Sequence, residues 1–284
     1  MRLVSSICTR VISAILVPAI ALGQSASAWH VDTLRQSVGL TWHRLQSRHF
    51  IVYSEYRGTR AQAHLDSLEA AWAHDLALLG TNEVDTTAIT VFVTASRMRF
   101  PRIMTPVTKG TAGPSADGRD VIVLVQNDSV RLYARHEVMH VLARRAWGLG
   151  PMANGEWFRE GLATFADGAC QGIPLSATAR DLLHGQPSMT SARLRTEFTE
   201  LHRSSRATAY VFAGSFVEYL WSARGRDGVE RLWKGNDSIP AAGALIGLPF
   251  ARSALDGEWR AYTEHAARGR AGVAPDALLR HGCG

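Results

Sequence analysis

The residues best suited to chemistry in this chain sit within five positions: His136, Glu137 and His140 in Tyr133-Ala134-Arg135-His136-Glu137-Val138-Met139-His140. Residues four apart on a helix share a face about one turn apart, so both imidazoles can turn a nitrogen toward one cation. Glu137 projects beside them, too far round the helix to be a third ligand but placed to hold a metal-bound water and take its proton. A catalytic metal also needs a third protein ligand and an open position. Glu156 and Glu160, four apart in the next helix-forming stretch, share a face, and either can approach the metal. The competing reading of His136 and His140 is two surface histidines on an amphipathic helix.

These residues need a scaffold. Positions 49–54, His-Phe-Ile-Val-Tyr-Ser, are rich in β-branched and aromatic types and predict a strand. Leu65, Leu68, Trp72, Leu76 and Leu79 recur at three- and four-residue steps over 59–79, predicting an amphipathic helix that Gly80 stops. Strands are predicted at 88–95 and 120–125, the latter buried on both faces. Between them 100–118 holds three prolines and three glycines, too long for a simple turn and with room for a short edge strand. Asn127 and Asp128 suit a helix cap, which would start the His136 helix near Ser129. Glycines 148, 150 and 155 predict a loop, with a helix resuming at 156–165.

From Ala169 onward the pattern is all-helical. The clearest segments are 207–223, with Phe212, Phe216, Tyr219 and Leu220 on one side and Gly225 as a stop, a start near Val229, and 252–268 with Leu255, Trp259 and Tyr262 inward. Mixed strand and helix first and helices afterwards predict an α+β fold: a small sheet lobe over 29–150 carrying the metal-ligand helix, then a mostly helical lobe over 151–284. Both belong to one domain spanning 29–284, with no internal repeat.

The first 28 residues read as a cleavable secretory signal peptide: Arg2 and Arg10 flank the start of an apolar run, and Ala26-Ser27-Ala28 forms a small-x-small cleavage pattern. The expected location is therefore extracytoplasmic, periplasmic or secreted. Pro18 and Gly23 leave the apolar run too short for a membrane span, and no later run is long enough. Without residues 1–28 the chain keeps 29 basic and 25 acidic residues, a formal charge of +4. The basic residues are scattered with no run of five, which argues against a nucleic-acid groove. Cys170 and Cys283 remain, a count compatible with one disulfide in an oxidising compartment. Neither has a partner at metal-ligand spacing.

Glu160 lies in Trp157-Phe158-Arg159-Glu160-Gly161-Leu162-Ala163, and this segment together with H-E-x-x-H resembles the gluzincin zinc metallopeptidases. It is similar to the W-x-x-E-G-[LF]-A segment of their thermolysin-like and aminopeptidase-N-like branches, and the whole chain from about 42 to 266 resembles the bacterial peptidase-MA-like domains. The resemblance implies a zincin-like fold, one zinc ion on His136, His140 and Glu160, and Glu137 as general base. Nineteen residues separate His140 from Glu160, one more than the aminopeptidase-N pattern. No histidine stands in Val141-Leu142-Ala143-Arg144-Arg145-Ala146, so the metzincin ligand pattern is absent.

The same resemblance implies an oxyanion-stabilising tyrosine on a later helix. Tyr210, in the Y-x-x-x-G-S-F segment Tyr210 to Phe216, is the candidate; an ordinary half-buried aromatic is the alternative, and His202 and Arg206 are further possible donors. Glu156 is then a surface carboxylate or one that orients a histidine nitrogen. Gluzincins place a substrate-pairing edge strand where Lys109 to Gly113 stands here. The expected function is a secreted zinc-dependent metallopeptidase acting on a peptide or protein. Its alternatives are a peptidase fold kept as a binding or assembly module, and zinc-dependent hydrolysis of something other than a peptide. Oligomeric state and cleavage specificity are left open.

Overall fold

A computed structural model of the chain describes residues 31, 34, 41–82, 84–100, 104, 109–115, 117–150, 155–170, 172–235 and 252–272. The expected signal peptide at 1–28 and Cys283 lie outside the described residues.

The fold is α+β. Strands β1 (His43–Gln46), β2 (Phe50–Ser54), β3 (Ile89–Thr94), β4 (Gly110–Pro114) and β5 (Asp120–Val125) form a mixed sheet in the order β1-β2-β3-β5-β4. β1 pairs antiparallel with β2, and β2, β3 and β5 run parallel. β4 pairs antiparallel with β5, Gly110 opposite Leu124 and Pro114 opposite Asp120. Every residue of β3 and β5 is buried, as their largely apolar sequences lead one to expect. Parallel neighbours need a crossover, and α1 (Gly58–Leu79) supplies it between β2 and β3. Gly80 then adopts a left-handed conformation at φ 64° and its N–H closes the last turn of α1.

The expected helix start near Ser129 is wrong. Asn127 spends its side chain on a turn, its Oδ1 accepting from the Ser129 N–H at 2.9 Å and its Nδ2 donating to the Ala95 carbonyl at 3.0 Å. The helix, α2 (Ala134–Trp147), begins only after this turn, with Tyr133 at its N-cap position. Asp120, the first residue of β5, is buried and accepts from both Arg144 and Arg145, the latter at 2.7 Å, tying the last turn of α2 to the sheet. β1 precedes the first strand that the sequence pattern predicts. A two-stranded hairpin, β6 (Ala169–Cys170) with β7 (Ile173–Pro174), interrupts a region expected to be wholly helical.

Helices α3 (Glu156–Asp167), α4 (Leu175–Gly185), α5 (Ser191–Ser204), α6 (Arg206–Trp233) and α7 (Arg252–Ala266) build the second lobe. α6 contains the two helices expected around 207–223 and 229–233, and they meet at the expected break: Gly225 is non-helical, at φ 65° and ψ 179°. Trp259 is fully buried at the centre of this lobe, packed on Phe212 and Phe216. Trp233 bridges the lobes. Its Nε1 donates to the Gly148 carbonyl at 2.9 Å, and its ring meets Trp147 of α2 and Phe158 of α3. Cys170 is fully buried and disulfide-bonded. No helix among the described residues is long and apolar enough to cross a membrane.

Candidate metal centre

α2 is buried along most of its length because it packs between α1 on one side and α3 on the other, with β4 beside it. That packing holds His136 and Glu137 in the interior, at 9% and 5% exposure, and leaves His140 and Glu160 half-buried. The imidazoles of His136 and His140 stand 4.9 Å apart at 85°, one turn along the helix. From α3, Glu160 Oε2 lies 3.2 Å from His136 Nε2 and 3.6 Å from His140 Nε2.

One donor atom from each of the three residues falls within 4.8 Å of the others, a group that could hold a metal ion. The spacing is informative. Ligand bonds of about 2.0–2.1 Å at tetrahedral angles put ligand atoms roughly 3.3 Å apart, and the two oxygen–nitrogen separations bracket that value. Two imidazoles and one carboxylate leave a fourth position for water or substrate.

The site is strongly coupled electrically. Burial acts to raise the Glu160 carboxyl, but the two histidines overcome it and hold it well below the usual range. Burial acts to lower His136, yet the hydrogen bond to Glu160 and the charges of Glu137 and Glu160 raise it to about 9. Burial pushes Glu137 up, against the pull of His136 and His140. A cavity that concentrates carboxylates against imidazoles in this way favours a bound cation, which would replace the proton shared among them.

Close backbone approach sets the geometry. A Cβ on Gly161, next to Glu160, would lie 2.7 Å from the Ala213 carbonyl oxygen of α6; one on Gly214 would lie 2.8 Å from Thr164 Cγ2 of α3. Only glycine at these two positions lets α3 and α6 run so close. The consequence is that Tyr210, one turn before Gly214, reaches the cluster from α6: its ring stacks on His136 at 5.7 Å and its hydroxyl feels the Glu160 charge. Burial and the Glu160 charge push its hydroxyl well above the usual tyrosine range, so it stays protonated and a donor.

Behind Tyr210 stand His202 of α5, stacked on it at 5.4 Å, and Arg206, whose Nε donates to His202 Nε2 at 2.9 Å. Burial and the charge of Arg206 lower His202. The structure thus brings His136, Glu137, His140, Glu160 and Tyr210 together and puts His202 and Arg206 one layer further out. Glu156 is not among them: it accepts from Thr199 of α5 at 3.2 Å and lies outside the ligand cluster.

Two participants were not legible from motifs. Gly110 of β4 lies against Glu137, so closely that a Cβ there would sit 2.4 Å from Oε1 and 2.8 Å from Cγ. Asp167, at the end of α3, is paired with Arg131 at 3.3 Å and its charge acts on His136. Nothing in the local pattern flags Gly110, because its partner is 27 residues away.

No model of a known protein family and no curated protein sequence matches this chain.

Proposed function

We propose that this chain is a zinc-dependent metallopeptidase of the gluzincin type, acting outside the cytoplasm. The observation that carries the reading is the position of one Glu160 oxygen, 3.2 and 3.6 Å from the Nε2 atoms of two histidines a helical turn apart. His136, His140 and Glu160 would hold the ion. When bound, zinc supplies Lewis acidity, lowering the pKa of a water molecule and polarising the carbonyl that the water attacks.

The chain's own residues supply the rest. Glu137, one residue after the first ligand and buried beside the cluster, takes the proton of the attacking water on its carboxylate and passes it to the departing amine. Gly110 confines that carboxylate from the sheet side. Tyr210 donates its hydroxyl proton in a hydrogen bond to the oxyanion that develops on the carbonyl. β4 pairs with β5 on one side only among the described strands, and its other edge suits backbone pairing with an extended peptide. The buried disulfide at Cys170 supports an oxidising compartment.

The test is zinc stoichiometry by elemental analysis together with cleavage of a peptide library by the parent and by Glu137→Gln. Zinc near one per chain in both, with cleavage by the parent only, is the expected result. Zinc without cleavage in either protein would point instead to a binding module.

A further inference from the structure

Only Ser205 separates α5 from α6, and its extended backbone, at φ −154° and ψ 91°, breaks the helix there. In an unbroken helix His202 and Tyr210, eight residues apart, would stand about 12 Å apart along the axis. Across this corner their rings lie 5.4 Å apart. The break therefore lays the last turn of α5 against the second turn of α6. A column of four rings results. Phe198, buried and one turn before His202, stacks on it at 5.9 Å and 22°; His202 meets Tyr210 at 29°, and Tyr210 meets His136 at 5.7 Å and 26°.

One protonation state of His202 fits this place. Arg206 Nε donates to His202 Nε2 at 2.9 Å, and a guanidinium can only donate, so Nε2 carries no proton and the neutral ring keeps its proton on Nδ1. Burial and the Arg206 charge favour that neutral form, against the charges of Glu156 and Glu160 on α3. The bond from Arg206 sets the rotation of the imidazole in its plane, and Phe198 sets the plane. Tyr210 is thus bounded by a ring on α2 and by a second, doubly held ring on α5. Its hydroxyl sits at the end of two rotatable bonds, and a swing that misplaces a catalytic group by about an ångström costs about 10²-fold in rate.

We propose that His202 is a positioning residue for Tyr210: held by Phe198 and Arg206, it pins the tyrosine ring against His136 and so sets where the hydroxyl points. That the hydroxyl then meets a developing oxyanion rests on the peptidase reading. The clamp on the ring does not.

The clamp can be measured without turnover in zinc-supplemented protein. Long-range proton–nitrogen NMR correlations of the histidine rings, with the His202 signals identified by their loss in His202→Phe, should show the Nδ1–H tautomer at neutral pH. An Nε2–H tautomer or an imidazolium overturns the proposal. With ring-labelled tyrosine, the Tyr210 signals, identified by their loss in Tyr210→Phe, should shift on His202→Ala while zinc content stays unchanged. Unmoved Tyr210 signals overturn it too. Far-UV circular dichroism checks that the variants fold, and His202→Leu, which fills the space without a ring, replaces the alanine variant if that one does not.

Peptide cleavage then tests the consequence. His202→Ala should lower kcat by about 10-fold or more with KM little changed, whereas in the Tyr210→Phe background the same substitution should change kcat by less than about 2-fold, because the hydroxyl it positions is already gone. Equal losses in the two backgrounds would make His202 a structural residue only and overturn its role. If the parent cleaves nothing while the Tyr210 signals respond as expected, the peptidase reading falls and the clamp stands; cleavage with equal losses in both backgrounds does the reverse.

Discussion

Gly110 and Glu137 are in such close contact that a single methyl at position 110 would overlap the Glu137 carboxylate, 2.4 Å from Oε1. The two belong to different elements, the edge strand β4 and helix α2, so the contact registers sheet against helix at the carboxylate proposed to carry the proton. Gly110→Ala should displace the carboxylate and lower kcat by roughly 10-fold or more, since misplacing a catalytic group by an ångström costs about 10²-fold. Zinc content should not change. Unaltered kcat in that variant would show that Glu137 is not the proton carrier in this position.

The two glutamates of α3 should part company on substitution. Glu160→Ala removes the oxygen that both histidines share and should weaken zinc binding by at least about 10-fold, with loss of activity. Glu156→Ala breaks a half-exposed bond from Thr199 and should leave zinc binding within about 2-fold of the parent. Competition with a chromogenic chelator measures both. The opposite ranking would overturn the ligand assignment.

Tyr210→Phe keeps the ring that stacks on His136 and removes only the hydroxyl. If that hydroxyl meets the developing oxyanion, kcat should fall by about 10² to 10³ with KM and zinc content little changed. A fall in zinc affinity with normal kcat per zinc would make the tyrosine a support for Glu160 instead.

Gly161 and Gly214 set the separation of α3 and α6. At Gly161 the obstacle to a side chain is the Ala213 carbonyl, which is backbone and cannot rotate away. Gly161→Ala should therefore destabilise the protein by about 1–3 kcal/mol, read from urea midpoints, and should lower activity by moving Tyr210 away from Glu160. Gly214→Ala meets the side chains of Leu175 and Thr164 and should cost less.

Local pattern carried much of this architecture. The buried strand at Asp120–Val125, the helix at Gly58–Leu79 with its glycine stop, and the pair His136 and His140 all follow from periodicities confined to one element. Where expectation failed, a distant group had intervened. Asn127 looked like a helix cap, but Ala95, 32 residues earlier, engages its amide and the helix starts later. Gly225, by contrast, breaks the helix as its type and position suggest, at φ 65° and ψ 179°, and a second helical stretch follows directly. Within the site, Glu160 was reachable by its motif, whereas Gly110 meets Glu137 only when β4 is laid against α2. Those contacts are tertiary and leave no mark on spacing.

Asp75 offers a test of the scaffold apart from the metal. It lies on the buried face of α1, accepts from His74 Nδ1 at 2.9 Å through Oδ1, and among the described residues has no partner for Oδ2. Burial raises its carboxyl to about 6, the Asp167 charge adding to the effect and His74 and Arg135 opposing it. The folded state therefore holds the proton more tightly than the unfolded chain, whose carboxyl titrates near about 4. Its favourable contribution is fully present below pH ~4 and is lost as pH rises through about 6, at which point ionisation costs on the order of 3 kcal/mol. Asp75→Asn mimics the protonated form at every pH. The variant should match the parent in urea stability near pH ~4 and exceed it by roughly that amount at about pH 7.5, with the gain opening between the two. A difference that stayed constant across that range would mean that Asp75 keeps its ordinary ionisation in the fold and that Arg135 neutralises it across the α1–α2 contact.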